Sequence, residues 1–398
     1  MSNEVARSTP DTNASPTEKK ASSKTVNRRS FLKNTMVAGA VAGSAGILAR
    51  GLPAVAQASS APITQGDAAI LRFLAAAEII ESDLWLQYQE FLGIQDSEVS
   101  RIASKQIPGY PAKPTGGNTA FTTQINGLDT DMSQYIHDNT EDELSHETFI
   151  NAYLVSKGFD PVSLDGFRNL PSSTATGANN VGRLTNLMQL TIDTSFWTRY
   201  RSSTGNPDLG DKFPPAVPSL AVNQHPAIPR TDADVNDANF LTAIAFTAGF
   251  HFAFIEQGGS SLYPSLAQRV NNVEVLRILL SIGPVETSHF QTWHDKVGNV
   301  TPLDAVDPVT KVKVSFKTLG TTAVGPNLQA NLIMPEPTAF LSRNFPACSI
   351  IRPTNTTNVA MGAVKGLMAD GLFIGQSPDF FQFITELATQ ADAATRGF

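Results

Sequence analysis

Apolar positions recur along most of this chain with the period of a helix. Between Thr64 and Glu90 the positions Leu71, Leu74, Glu78, Glu81, Trp85 and Tyr88 follow one another at spacings of three and four, one face of a first long helix. Residues 93–124 hold several Gly and Pro and read as a loop. A second helix is predicted from Asp129 to Ser156, with Met132, Ile136, Asn139, Glu143, His146, Ile150 and Tyr153 on its stripe and Lys157-Gly158 as its stop. A shorter helix is expected from Val181 to Tyr200, then a Pro-rich linker to Pro229. The third long helix starts near Asp232 or Asp234 and reaches Glu256. Gly258-Gly259 is expected to bend it before Ser260 to Val270 resume. The fourth runs from Val273 to Val297, with Val275, Leu279, Ile282, Glu286, His289 and Trp293 on one face. Pro284 lacks an N–H for the Leu280 carbonyl, so an irregular or widened turn is expected between them. The C-terminal hundred residues read differently. Val312, Val314 and Phe316 alternate with polar residues as a short strand, and Ser377-Pro378-Asp379 opens a helix to about Ala394. The pattern predicts an all-α, four-helix bundle domain over 59–298, with a long insertion (158–230) between helices two and three. A mixed extension follows over 299–398.

Residues 1–58 are excluded from that domain. A polar stretch leads to Asn27-Arg28-Arg29-Ser30-Phe31-Leu32-Lys33, an apolar run from Met36 to Leu48, and Ala54-Val55-Ala56-Gln57-Ala58. Basic region, apolar region and small-residue cleavage site, in that order, make a signal peptide. The paired arginines resemble the twin-arginine export signal, which implies a folded protein delivered to the periplasm or secreted. The segment holds eight Lys or Arg and three Asp or Glu in a chain of net charge −7, so cleavage after Ala58 leaves 340 residues at −12. That charge disfavours nucleic acid and anionic membrane surfaces. No second apolar stretch reads as a bilayer span. The single cysteine, Cys348, forms no internal disulfide.

The chemistry lies in acidic residues placed within the apolar stripes. Glu78 and Glu81 do this on the first helix, Glu143 on the second and Glu286 on the fourth, while Glu256 follows Phe250, Phe252, Phe254 and Ile255 on the third. Burying a carboxylate is costly unless it is paired or binds a metal. Singly, each Glu is explained by a solvated face and each His by a core or capping role. Together they form a pattern, because Glu143-Leu-Ser-His146 and Glu286-Thr-Ser-His289 each project a carboxylate and an imidazole to one side of a helix. Carboxylate and imidazole donors suit iron, manganese or zinc, and bridging carboxylates can hold two ions. His137, His251 and His294 read as structural or surface residues, and His225 lies in a Pro-rich loop. Trp85, Tyr88 and Tyr153 fit either a site lining or plain core. There is no phosphate loop, dinucleotide fingerprint or nucleophile elbow.

These motifs resemble the ferritin-like superfamily, in particular its desiccation-related or ferritin-like domain branch. The resemblance covers roughly residues 64–297. It implies a ferritin-like four-helix bundle and a metal set of Glu78 or Glu81, or both, with Glu143, His146, Glu256, Glu286 and His289. The expected cofactors are divalent ions, iron or manganese, two per chain. The implied activity is di-metal redox chemistry on oxygen, peroxide or ferrous ion. The alternative is a non-enzymatic stress- or desiccation-related protein whose metal is structural or absent.

Overall fold

The computed structural model describes residues 62–201, 211–319, 336–339, 344–351 and 357–397. The signal expected over residues 1–58 lies outside them. Most of the described residues are helical. The first long helix, α1 (Gln65–Leu92), starts at a reciprocal cap: Thr64 Oγ1 accepts from the Asp67 backbone N–H at 3.0 Å, and Asp67 returns the bond to the Thr64 N–H at 3.1 Å. Two short helices follow, α2 (Glu98–Gln106) and α3 (Thr119–Ile125), where a loop was expected. Each is too short to show a strong period. α3 is set by Asn118, whose side chain accepts from the Phe121 N–H at 3.1 Å.

The second long helix, α4 (Met132–Ser156), ends where predicted, at Lys157 and a left-handed Gly158 with φ 81°. Its buried residues Met132, Ile136, Asn139, Glu143, His146 and Ile150 lie on the predicted stripe. The insertion is largely irregular. Only α5 (Ser195–Arg201) survives of the helix expected over 181–200. The backbone donors there are taken by distant acceptors: Asn186 N bonds Leu372 O at 2.7 Å, Leu190 N bonds His225 O at 2.8 Å and Thr191 N bonds Asp370 O at 2.8 Å. Side chains on the rear of α1 hold the segment down. Asp83 accepts from the N–H groups of Leu184 (3.0 Å) and Thr185 (2.9 Å) and pairs with Arg168 (2.7 Å), while Glu90 pairs with the buried Arg183 at 2.6 Å. His225 joins this stapling through Nε2, which bonds the carbonyls of Ser219 (2.9 Å) and Val222 (3.0 Å).

A single turn, α6 (Asp232–Val235), precedes α7 (Ala238–Ala267). Gly258-Gly259, where a bend was expected, does not interrupt the helix: α7 stays helical through both glycines and through Pro264. A glycine costs a helix only about 1 kcal/mol, and α7 is packed along its length against α8 (Val273–Lys296). Helix α8 is likewise α-helical at every residue through Pro284, without the widened turn expected there. Leu280, whose carbonyl loses its partner, is 57% exposed, so the missing bond falls on the solvent side of the helix. No second apolar stretch was expected to read as a bilayer span; by length and apolar composition α7 does, but it is mostly buried and carries His251 and Glu256.

The C-terminal part begins with the antiparallel hairpin β1 (Leu303–Val306) and β2 (Lys313–Phe316), the strand anticipated from the alternation of Val314 and Phe316. β3 (Glu336–Ala339) and β4 (Ala347–Ile350) form a second antiparallel pair. Two helices then pack back onto the long ones: α9 (Val359–Asp370) and α10 (Pro378–Asp392). Ala360, Val364, Phe380, Ile384, Leu387 and Ala391 belong to the same buried cluster as Leu74, Tyr88 and Phe252. Asp392, at the end of α10, accepts from the N–H groups of Ala360 (3.0 Å) and Met361 (2.9 Å), satisfying the open first turn of α9. α1 packs on α4 and α7 on α8, so the two pairs bring their polar stripe positions face to face.

Candidate metal centre

Glu78 from α1, Glu143 and His146 from α4, Glu256 from α7, and Glu286 and His289 from α8 meet in the interior. The four carboxylates are completely buried and His146 is 8% exposed. Two overlapping sets of donor atoms result. Glu78, Glu143, His146 and Glu286 form one, and Glu143, Glu256, Glu286 and His289 form the other. Within each set all donor atoms lie within 4.8 Å of one another. Glu143 and Glu286 belong to both.

The first set surrounds the Nδ1 of His146, which is 3.2 Å from Glu78 Oε2, 3.2 Å from Glu143 Oε2 and 3.3 Å from Glu286 Oε1. The second surrounds the Nδ1 of His289, 3.1 Å from Glu143 Oε1 and 3.3 Å from Glu256 Oε2. One ring nitrogen cannot serve three carboxylates as a hydrogen-bond donor. Donor atoms that share an ion at about 2.0–2.2 Å, however, stand about 3.0–3.5 Å apart. Several of these atoms are also buried without a hydrogen-bond partner, namely both carboxylate oxygens of Glu286, Glu256 Oε2 and His289 Nδ1. Unsatisfied buried polar atoms on converging ligands are what a bound cation satisfies. The residues present therefore fit a bound metal ion, and Glu143 and Glu286 are available to both donor sets.

A supporting layer orients the donors. Asp142 Oδ2 lies 3.1 Å from His289 Nε2, which directs that ring's Nδ1 inward. Asn139 donates to Glu143 Oε1 at 2.8 Å and to Glu256 Oε1 at 3.0 Å, and accepts from the Trp293 indole at 2.7 Å. Trp85 donates to Glu256 Oε1 at 2.9 Å, and Tyr263 donates to Glu78 Oε1. Asp142 and Tyr263 were not singled out from the sequence, and Asn139 was placed on its helix's stripe without a role at the site. Asn139 and Asp142 sit three or four residues from a ligand on the same helix, a signal available only once the ligands are known. Of the aromatics considered for a lining role, Trp85 touches a donor directly. Tyr88 instead bonds His251 Nδ1 at 2.7 Å, with Asp370 behind that ring at 3.2 Å, and Tyr153 donates to Glu274 at 3.1 Å. His137 is buried on the outer side of α4, 3.3 Å from Asp96.

Glu81 stands apart. It joins neither donor set and has no hydrogen-bond partner among the described residues, although the charges of Glu286, Glu78, Glu143 and Glu256 act on it. Of the two acidic residues left open on the first helix, Glu78 is the one placed among the donors.

Electrostatics follow from burial and crowding. Burial pushes Glu78 up to about 7 despite the nearby His146. Burial and then neighbouring carboxylates hold Glu81 and Glu286 well above the usual range, and burial raises Glu256. Glu143 goes the other way: burial opposes its charge, but the imidazoles of His146 and His289 beside it together outweigh burial and hold the carboxyl low. Both imidazoles are raised: burial opposes their charge, but the carboxylates around them, Glu78 foremost at His146 and Glu256 at His289, together outweigh it. Without a cation the cluster keeps protons that a metal would displace.

Comparison with protein-family models, with curated proteins and with solved structures found no match to this chain.

Proposed function

We propose that the chain is a ferritin-like protein holding two divalent ions, iron or manganese, in a carboxylate-bridged centre that carries out redox chemistry on oxygen or peroxide. The observation that carries this reading is the pair of interpenetrating donor sets sharing Glu143 and Glu286. Glu78 and His146 would complete one ion's ligands, and Glu256 and His289 the other's. Two bridged ions supply Lewis acidity and electrons for such a reaction. The chain's own residues position the donors and exclude water, with Trp85, Trp293 and Phe252 stacked around the centre at ring separations of 4.8–5.4 Å.

Elemental analysis of protein purified from its native source is the test. Iron or manganese near two per chain, with peroxide or oxygen consumed in proportion, is the expected result. Metal without turnover moves the function to the structural, stress-linked alternative, and a metal-free native protein ends the di-metal reading. We further propose export through the twin-arginine signal, on the strength of Arg28-Arg29 and Ala56-Gln57-Ala58. The mass of the native chain checks it, and a native N-terminus at Met1 or Ser2 sinks it.

A further inference from the structure

A cavity of about 210 Å³ lies between α1, α7, α9 and α10. Phe73, Ile80, Phe254, Leu262, Leu367 and Phe373 give it an apolar wall. Small residues make the room: a Cβ added at Gly258 or Gly366 would project into open space. It opens to solvent, and Gly258 and Gly366 in its lining are exposed, so its apolar wall stays wetted unless something covers it. Glu81 is the one ionisable side chain among the residues lining it, and it has no hydrogen-bond partner among the described residues. Glu81 is half-buried and lines this opening, so a bound molecule can present its polar group to it.

The cavity also abuts the candidate metal centre. Gly259 lines it, and the position a Cβ would take on Gly259 is filled from the other side by the carboxylate of Glu286. At that point the wall is backbone alone, with a proposed bridging ligand directly behind it. Glu81, one helical turn after Glu78, supplies the adjoining part of the wall.

We propose that this cavity is a binding site for a small, uncharged, mostly apolar molecule, with its one polar group turned toward Glu81 and the metal centre. A cavity of about 150 Å³ accepts a benzene ring, so this one takes a single ring with a short substituent, or an alkyl chain of similar volume. That the molecule is the substrate of the centre rests on the di-metal reading above; that the cavity binds it does not. Glu81 and Gln257 are the polar side chains among the residues lining it, too few to replace the water shell of a ferrous ion.

Benzyl alcohol, with toluene and benzoate as comparisons, tests the site by saturation-transfer NMR on the full folded chain. Benzyl alcohol and toluene should bind, and benzoate should bind at least about tenfold more weakly, because its charge would be desolvated beside Glu81 and Glu286. Filling the cavity by Ala363→Phe should weaken benzyl alcohol by at least about tenfold without changing metal content. Gly366→Leu, at an exposed position, gives the same reading if the first variant folds poorly. In protein loaded with Mn²⁺ the bound probe's protons should relax faster than in Zn²⁺-loaded protein, which reads proximity to the centre independently of turnover. Absence of probe binding in metal-loaded protein, or binding unaffected by both variants, overturns the site while leaving the metal reading intact. Equal relaxation in the two metal forms overturns its placement beside the centre. Probe binding by a chain that takes up no metal overturns the substrate role and the di-metal reading together.

Discussion

Six donor residues at the centre do unequal work. Glu143 and Glu286 face both donor sets, whereas Glu78 and Glu256 face one each. Glu143→Gln should therefore release both ions of a two-metal site, and Glu78→Gln only one. Metal content per chain after dialysis distinguishes these outcomes, and equal losses from the two variants contradict the bridging assignment. The metal-free folded chain keeps a proton on Glu78 up to about 7, while the unfolded chain releases it at the ordinary 4.5. The folded state thus binds more protons in that window, and the stability Glu78 contributes is lost as pH rises from 4.5 through about 7. The raised histidines act in the same direction above their ordinary 6.5. The depressed Glu143 acts oppositely, losing its contribution only as pH falls below 4.5. Melting curves of chelated protein should accordingly show Tm falling between these limits, less steeply in Glu78→Gln. A chelated wild type whose decline matches that of the variant would count against the buried-proton account.

At the scale of elements, the long helices carry their donors where local periodicity put them, and the surprise is Gly259. Its sequence signal, two adjacent glycines near the end of an apolar stretch, reads as a helix break. In the folded protein the missing side chain is the space that the Glu286 carboxylate enters from α8. Gly259→Ala should raise the intrinsic helix preference of α7 by about 1 kcal/mol. It should nonetheless weaken metal binding by about 10–100-fold, the range seen when ligand positioning is disturbed. Circular dichroism and metal titration together check this. Unchanged affinity would mean that Glu286 has another place to go. The acids of α1 divide in a related way: Glu78 and Glu81 face the centre and the cavity, while Asp83 and Glu90, on the other side of the same helix, hold the insertion. The apolar spacing alone does not say which acid serves which partner.

Across the whole molecule, the insertion and the C-terminal helices are part of how the centre is enclosed. The insertion has little regular structure, so its attachment depends on a few buried polar contacts such as Glu90 with Arg183. Arg183→Met leaves the Glu90 carboxylate buried and uncompensated and should cost about 3–5 kcal/mol. Adding Glu90→Leu removes the orphaned charge and should recover most of that loss. Denaturant unfolding of the single and double variants measures the difference, and a double variant no more stable than the single would refute the pairing as the cause. On the opposite side, α9 and α10 cover α1 and α7 and form the outer wall of the apolar cavity.

What the sequence by itself determined were the four long helices and five of the residues that meet between them, with the sixth left between Glu78 and Glu81. Both are local properties: a three-to-four spacing of apolar side chains specifies a helix face, and a carboxylate on that face is a visible exception. The irregular insertion was illegible because its backbone hydrogen bonds go to residues far along the chain, as Asn186 to Leu372 and Leu190 to His225 show. The same holds for the choice of Glu78 over Glu81 among the donors, the role of Gly259 and the existence of the cavity. Each depends on what lies across an interface between helices, which one helix's periodicity does not encode. Only the tertiary structure decided them, because close packing turns small offsets between facing helices into a ligand, a wall or an empty space.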